Sequence, residues 1–163
     1  MDNTVMIHRK LTGSIFEVFE KMFYIFLEPA EQEAGVGAGT YRWRSAISFS
    51  GAVQGEMAAL FSQPLAELMV RNMLNDEGDQ VADDLLSDCL KEAINMICGN
   101  FLQKVNPAMV FDLSLPSVAS LTAGEPLGGP VAWRLNFTAG AGEWLELIMR
   151  TRDNPGREAD QAL

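Results

Sequence analysis

Residues 41–64, YRWRSAISFSGAVQGEMAALFSQP, decide the fold. Tyr41, Trp43, Ile47 and Phe49 alternate with Arg42, Arg44, Ser48 and Ser50. A period of two with aromatic residues is the mark of a half-buried strand. Gly51 and Gly55 bracket a turn, and Glu56–Phe61 reads as the returning strand, so Tyr41–Phe61 is a hairpin. Ser62-Gln63-Pro64 then opens a helix, with serine as its cap and proline in its first turn. Leu65, Leu68, Met69 and Met73 continue that helix until Asn75.

Outward from this unit, Leu11–Leu27 carries apolar residues at helical spacing, Phe26 among them, and is ended by Glu28-Pro29. The longest helix spans Val81–Val105, with Leu86, Leu90, Ala93, Ile97 and Phe101 on its apolar side and Asn106-Pro107 as its stop. Three further strands are predicted. These are Met109–Leu115, ending at Pro116; Val131–Thr138; and Trp144–Arg150, in which Leu145, Leu147 and Met149 alternate with Glu146 and Arg150. Gly140–Gly142 joins the last two as a hairpin. The fold class is α+β: an antiparallel sheet with two long helices packed on it plus a shorter helix. Residues 1–152 read as one domain and residues 153–163 as a disordered tail.

Charge and composition remove several function classes. The chain has 163 residues with 12 basic against 22 acidic, a net charge of −10. Nucleic-acid binding needs clustered Lys and Arg, and anionic lipid is repelled by the same acidic surplus. No apolar run reaches the roughly 18–20 residues of a membrane span, and the first residues lack a signal peptide's apolar stretch, so a cytoplasmic location is expected. Cys89 and Cys98 lie nine residues apart, on opposite sides of one helix and about 13.5 Å apart along its axis, too far to pair. They read as buried free thiols. With His8 as the one histidine, no zinc set is available. Gly35, Gly37 and Gly39 are not followed by Lys-Ser or Lys-Thr, so that stretch reads as a linker. Asn75–Asp79 resembles a calcium loop only superficially, because Met73 would stand at its first ligand position.

On the long helix, Asp88, Glu92, Asn95 and Gly99 are spaced four, three and four residues apart. At about 100° per residue they fall within roughly 60° of one another, nearly opposite Leu86, Ala93 and Ile97. Spacing alone is compatible with an ordinary solvated helix face. The segment Asp88-Cys-Leu-Lys-Glu92-Ala-Ile-Asn95-Met-Ile-Cys-Gly99 resembles the motif of the CheC/CheX/FliY chemotaxis phosphatases. In that motif Glu and Asn are three residues apart and follow an Asp or Ser. Pro116 fits the proline that usually completes the motif, and the hairpin from Phe49 to Ser62 is similar to the family's glycine-punctuated one.

The resemblance implies a phosphatase acting on the aspartyl phosphate of a CheY-like response regulator by positioning a water for in-line attack. It implies that Asn95 holds the water, that Glu92 pairs with a lysine of the regulator, and that Asp88 and Gly99 meet the partner. It implies no metal or cofactor on this chain, with Mg²⁺ on the phosphorylated regulator. CheC-type relatives carry a second motif on the first helix; here that stretch reads Gly13-x-x-x-Glu17-x-x-Glu20 without asparagine. One active site per chain and a homodimer, as in CheX-type members, are therefore implied. A non-catalytic signalling or flagellar-switch module of the same fold is the alternative.

Overall fold

A computed structural model describes residues 2–31, 40–75, 78, 80–122 and 133–152. Helix α1 spans Asn3–Phe23, α2 Gln63–Leu74 and α3 Asp83–Val105. The strands are β1 (Glu28–Pro29), β2 (Trp43–Ser50), β3 (Gln54–Phe61), β4 (Asp112–Leu113), β5 (Ser117–Ser120), β6 (Trp133–Gly140) and β7 (Glu143–Arg152). They form one antiparallel sheet in the order β1-β6-β7-β3-β2-β4, with β5 also paired to β2. The α+β class, the two long helices and the shorter one are as the sequence predicts.

Register explains the core. Trp43, Ile47 and Phe49 of β2 stand beside Phe61, Met57 and Gly55 of β3. Met57, Ala59 and Phe61 in turn pair with Met149, Leu147 and Leu145 of β7. This face packs against the apolar sides of all three helices in one core drawing on residues from Ile7 to Met149. Each fully buried Leu or Phe contributes roughly 1.5–3 kcal/mol there. The hairpin needs its glycines. A Cβ on Gly55 would lie 2.4 Å from the carbonyl oxygen of Arg150, and Gly51 adopts φ +149°. Ser62 Oγ accepts from the backbone N–H of Leu65, capping α2, and from that of Trp144 at 2.9 Å, which ties α2 to β7.

Several boundaries differ from the sequence reading. Helix α1 starts at Asn3, not Leu11, because Asp2 caps it by accepting from Thr4 N–H. It ends at Phe23, where Tyr24 turns left-handed, and in residues 24–27, outside any helix or strand, Ile25 and Leu27 are buried but Tyr24 and Phe26 exposed. Phe26 is thus no part of the helix stripe. The predicted strand Met109–Leu115 shrinks to the two residues of β4, and β5, an unpredicted strand, follows beyond Pro116 on the same edge of β2. Their register shifts by one residue, so Leu115 and Pro116 together face Ile47 as a bulge. Ser114 secures the break: its N–H donates to Ser48 O and its Oγ accepts from Ser48 N–H, both at 2.9 Å.

The outer face of the sheet also departs from simple alternation. Tyr41 does not share the face of Trp43; it joins Leu60 and Ile148 in a second small cluster on the outer side. Glu146, on the face opposite Leu145, Leu147 and Met149, is buried against Arg134. Burial pushes its carboxyl upward while the Arg134 guanidinium opposes the shift. The expectations for residues 153–163, for the glycines at 35, 37 and 39, and for most of Asn75–Asp79 lie outside the described residues.

Candidate functional site

Helix α3 is held from several directions. It packs against α1, α2 and strands β2, β3 and β5, and Leu86, Cys89, Leu90, Ala93, Ile94, Ile97, Cys98, Phe101 and Leu102 are buried. Asp83 and Asp84 in its first turn and Lys104 in its last match the helix dipole. Both thiols are buried although they lie on opposite sides of the helix, because neighbours cover both sides. Burial pushes each thiol up to about 12, so neither is a nucleophile at neutral pH.

What remains uncovered is the narrow face predicted from the spacing. Asp88 and Glu92 are exposed and Asn95 and Gly99 half-buried, with Leu86, Ala93 and Ile97 buried on the other side. Among the described residues, the side chains of Asp88, Glu92 and Asn95 have no hydrogen-bond or ion-pair partner. A Cβ placed on Gly99 would meet nothing within 4 Å, so the chain's own packing does not require glycine there. Pro116 sits in the bulge beside β5, which packs against α3.

The first helix differs. Glu17 Oε1 accepts from Lys21 Nζ at 2.8 Å and Oε2 from Lys104 Nζ at 2.6 Å. These bonds, that from Lys104 foremost, hold its carboxyl down at about 2. Lys10 Nζ adds a 2.8 Å bond to Lys104 O, closing α1 onto the last turn of α3. Glu20 is exposed.

Among the described residues, the α3 face presents exposed side chains on a helix surface. A cavity of about 490 Å³ lies on the outer sheet face, lined by Ser48, Ser50, Glu56, Asp112, Arg150 and Arg152 among others. Another of about 260 Å³ lies between His8, Thr12 and the Arg134–Phe137 stretch of β6. Neither includes Asp88, Glu92 or Asn95. Strand alternation could have hinted at the outer-face cavity, since Ser48, Glu56 and Arg150 share that side, but sequence reasoning singled out none of them as a site. Among the described residues no three His, Cys, Asp or Glu side chains are grouped to hold a metal, and no helix is long and apolar enough to cross a membrane.

Sheet order and helix placement are those of an α+β domain of the kind implied by the resemblance to the CheC/CheX/FliY phosphatases. The model of one family in that class, described as chemotaxis phosphatase CheX, matches residues 44–126, just over half of the chain. The chain belongs to the CheX family of chemotaxis phosphatases. No curated protein matches it in sequence. Among solved structures, it resembles the chemotaxis protein CheX of Vibrio vulnificus at 18% identity and TM-score 0.74, covering 93% of this chain and 100% of that one. A putative chemotaxis protein of Desulfovibrio vulgaris Hildenborough is similar at 20% identity and TM-score 0.73, with the same coverage. A CheX–CheY–BeF3–Mg²⁺ complex from Borrelia burgdorferi contains a similar chain, at 18% identity and TM-score 0.69, covering 90% of this chain and 98% of that one.

Proposed function

We propose that this chain, working as a single cytoplasmic domain, removes phosphate from the aspartyl phosphate of a CheY-like response regulator, with α3 as its working face. The observation that carries this reading is the shape of the site. Among the described residues, Glu92 and Asn95 stand partnerless on a convex helix, where a small substrate could not be enclosed. A substrate for such a face must bring its own pocket, and a regulator's phosphorylation site is one. The Borrelia complex with CheY, beryllofluoride (a mimic of a phosphoryl group) and Mg²⁺ supports the same partner.

The chemistry asked of the helix is small. An aspartyl phosphate is a mixed anhydride and already activated. The Asn95 carboxamide oxygen accepts a hydrogen bond from water and holds it in line with phosphorus. The new O–P bond forms as the bond to the aspartyl oxygen breaks, and carboxylate and inorganic phosphate leave. Glu92, one turn away, pairs with a lysine of the regulator and sets the register of docking. Asp88 adds to the same negative face. Gly99 leaves room for the regulator's loops, which gives a reason for a helix-interior glycine that internal packing does not supply. Mg²⁺ belongs to the regulator, where it neutralises the phosphoryl oxygens. A homodimer is part of this reading by family likeness and is checked by sedimentation.

The test separates catalysis from mere docking. With phosphorylated regulator and Mg²⁺, the chain should speed phosphate release, and chelating Mg²⁺ should stop it. The isolated chain should carry no stoichiometric metal and should not hydrolyse p-nitrophenyl phosphate. Capture of the beryllofluoride-bound regulator without any turnover would instead make the chain a binding module. Hydrolysis of the simple ester without a regulator would overturn the mechanism.

A further inference from the structure

Beside the polar column, α3 exposes two large apolar side chains, Leu85 at 46% and Met96 at 37%. They are the only exposed large hydrophobic residues of α3. Measured around the helix from Asp88, Leu85 and Met96 lie about 60° and 80° to one side, with Glu92 between them and the column at about 40°. Asp84, Lys91 and Asn95 lie about 20–60° to the other side. Leu85, Glu92 and Met96 therefore make one ridge, about 16 Å long from end to end. One flank of the site is apolar and the other polar.

We infer that Leu85 and Met96 are specificity contacts for the regulator, seating on apolar side chains that border its phosphorylation site on one side only. This rests on the proposed function of α3. Met96 lies one turn from Glu92 and about 40° further around the helix, so a surface that reaches past Glu92 on that side meets it. Charge selects the occupant. Asp84, Asp88 and Glu92 run along the same face, and a chain of net charge −10 repels nucleic acid and anionic lipid. A second copy laid on this face would set carboxylate against carboxylate. A regulator offering a lysine and Mg²⁺ at its centre and an apolar rim beside them meets both parts of the surface. Buried apolar rims of this kind set affinity, while the positioned water sets the rate.

The test is a titration of beryllofluoride-activated, Mg²⁺-loaded CheY-like regulator against the wild-type chain and the double variant Leu85→Gln, Met96→Gln. Glutamine keeps side-chain length and helix propensity, and an unchanged melting temperature confirms folding. Kd should rise about tenfold, while kcat at saturating phosphorylated regulator stays within about twofold. Lys91→Gln, on the polar flank, should leave Kd within about twofold. A Kd unchanged by the double variant overturns the inference, as does an equal loss from Lys91→Gln. Asn95→Ala in the same assay separates the two levels. If it abolishes turnover while the double variant binds normally, only the apolar flank falls. If Asn95→Ala turns over normally, the reading of α3 falls and the flank with it.

Discussion

Helices α1 and α3 each carry a glutamate at the same place in the spacing, four residues after Gly13 on α1 and four after Asp88 on α3, yet one face is closed and the other open. On α1, Glu17 is gripped by Lys21 and Lys104, so each of its carboxylate oxygens already accepts from a lysine. On α3, Glu92 and Asn95 are partnerless among the described residues. The lesson is that a carboxylate in a motif-like spacing is assigned by what already holds it. Glu17 serves the fold, whereas Glu92 serves no contact of the fold among the described residues.

The largest effect should come from Asn95→Ala. Losing one positioning interaction costs at least about 100-fold in turnover, with regulator binding and melting temperature retained. A rate assay beside a binding titration reads both. Glu92→Ala should weaken capture of the activated regulator by at least about tenfold, and the loss should shrink at high salt. Equal affinity at low and high salt would remove Glu92 from docking. Gly99→Ala and Gly13→Ala sharpen the contrast, because a Cβ at either position meets nothing in the chain. Each should stabilise the fold by roughly 0.5–1 kcal/mol. Only Gly99→Ala should cost affinity, by several-fold.

Glu17→Gln should be smallest, lowering stability by about 1 kcal/mol or less because the pair is partly solvated, with turnover untouched. Its pH dependence has a definite sign. Folding lowers this carboxyl from 4.5 to about 2, so its contribution is complete above about pH 4.5 and is lost as pH falls towards 2. Chemical denaturation across that window should show a shallower decline for Glu17→Gln than for the wild type.

Local periodicity made much of this legible. The spacing of Asp88, Glu92, Asn95 and Gly99 placed them on one side of a helix, and that side is the uncovered one. The β2–β3 hairpin, the Ser62 cap and the pairing of β6 with β7 were equally local. What escaped the sequence was non-local or weakly patterned. Residues 3–10 are mostly polar and hid the first two turns of α1, whose inward contact there is Ile7. The division of β4 from β5 depends on Ser114 bonding to Ser48 across the sheet, which no local pattern encodes. Glu146 followed the alternation to the outer face, but Arg134 of β6 pairs with it there, and it is buried. The two lysines that occupy Glu17 could be half seen: Lys21 lies one turn away, whereas Lys104 is 87 residues distant.

The central claim is that the open face of α3 is catalytic towards a protein-borne acyl phosphate. The most direct measurement follows inorganic phosphate from a phosphorylated CheY-like regulator, with Mg²⁺, at one chain per many regulators. The account predicts release well above the spontaneous rate, continuing through many turnovers per chain. Release at the spontaneous rate, under conditions where the chain binds the activated regulator, would contradict it.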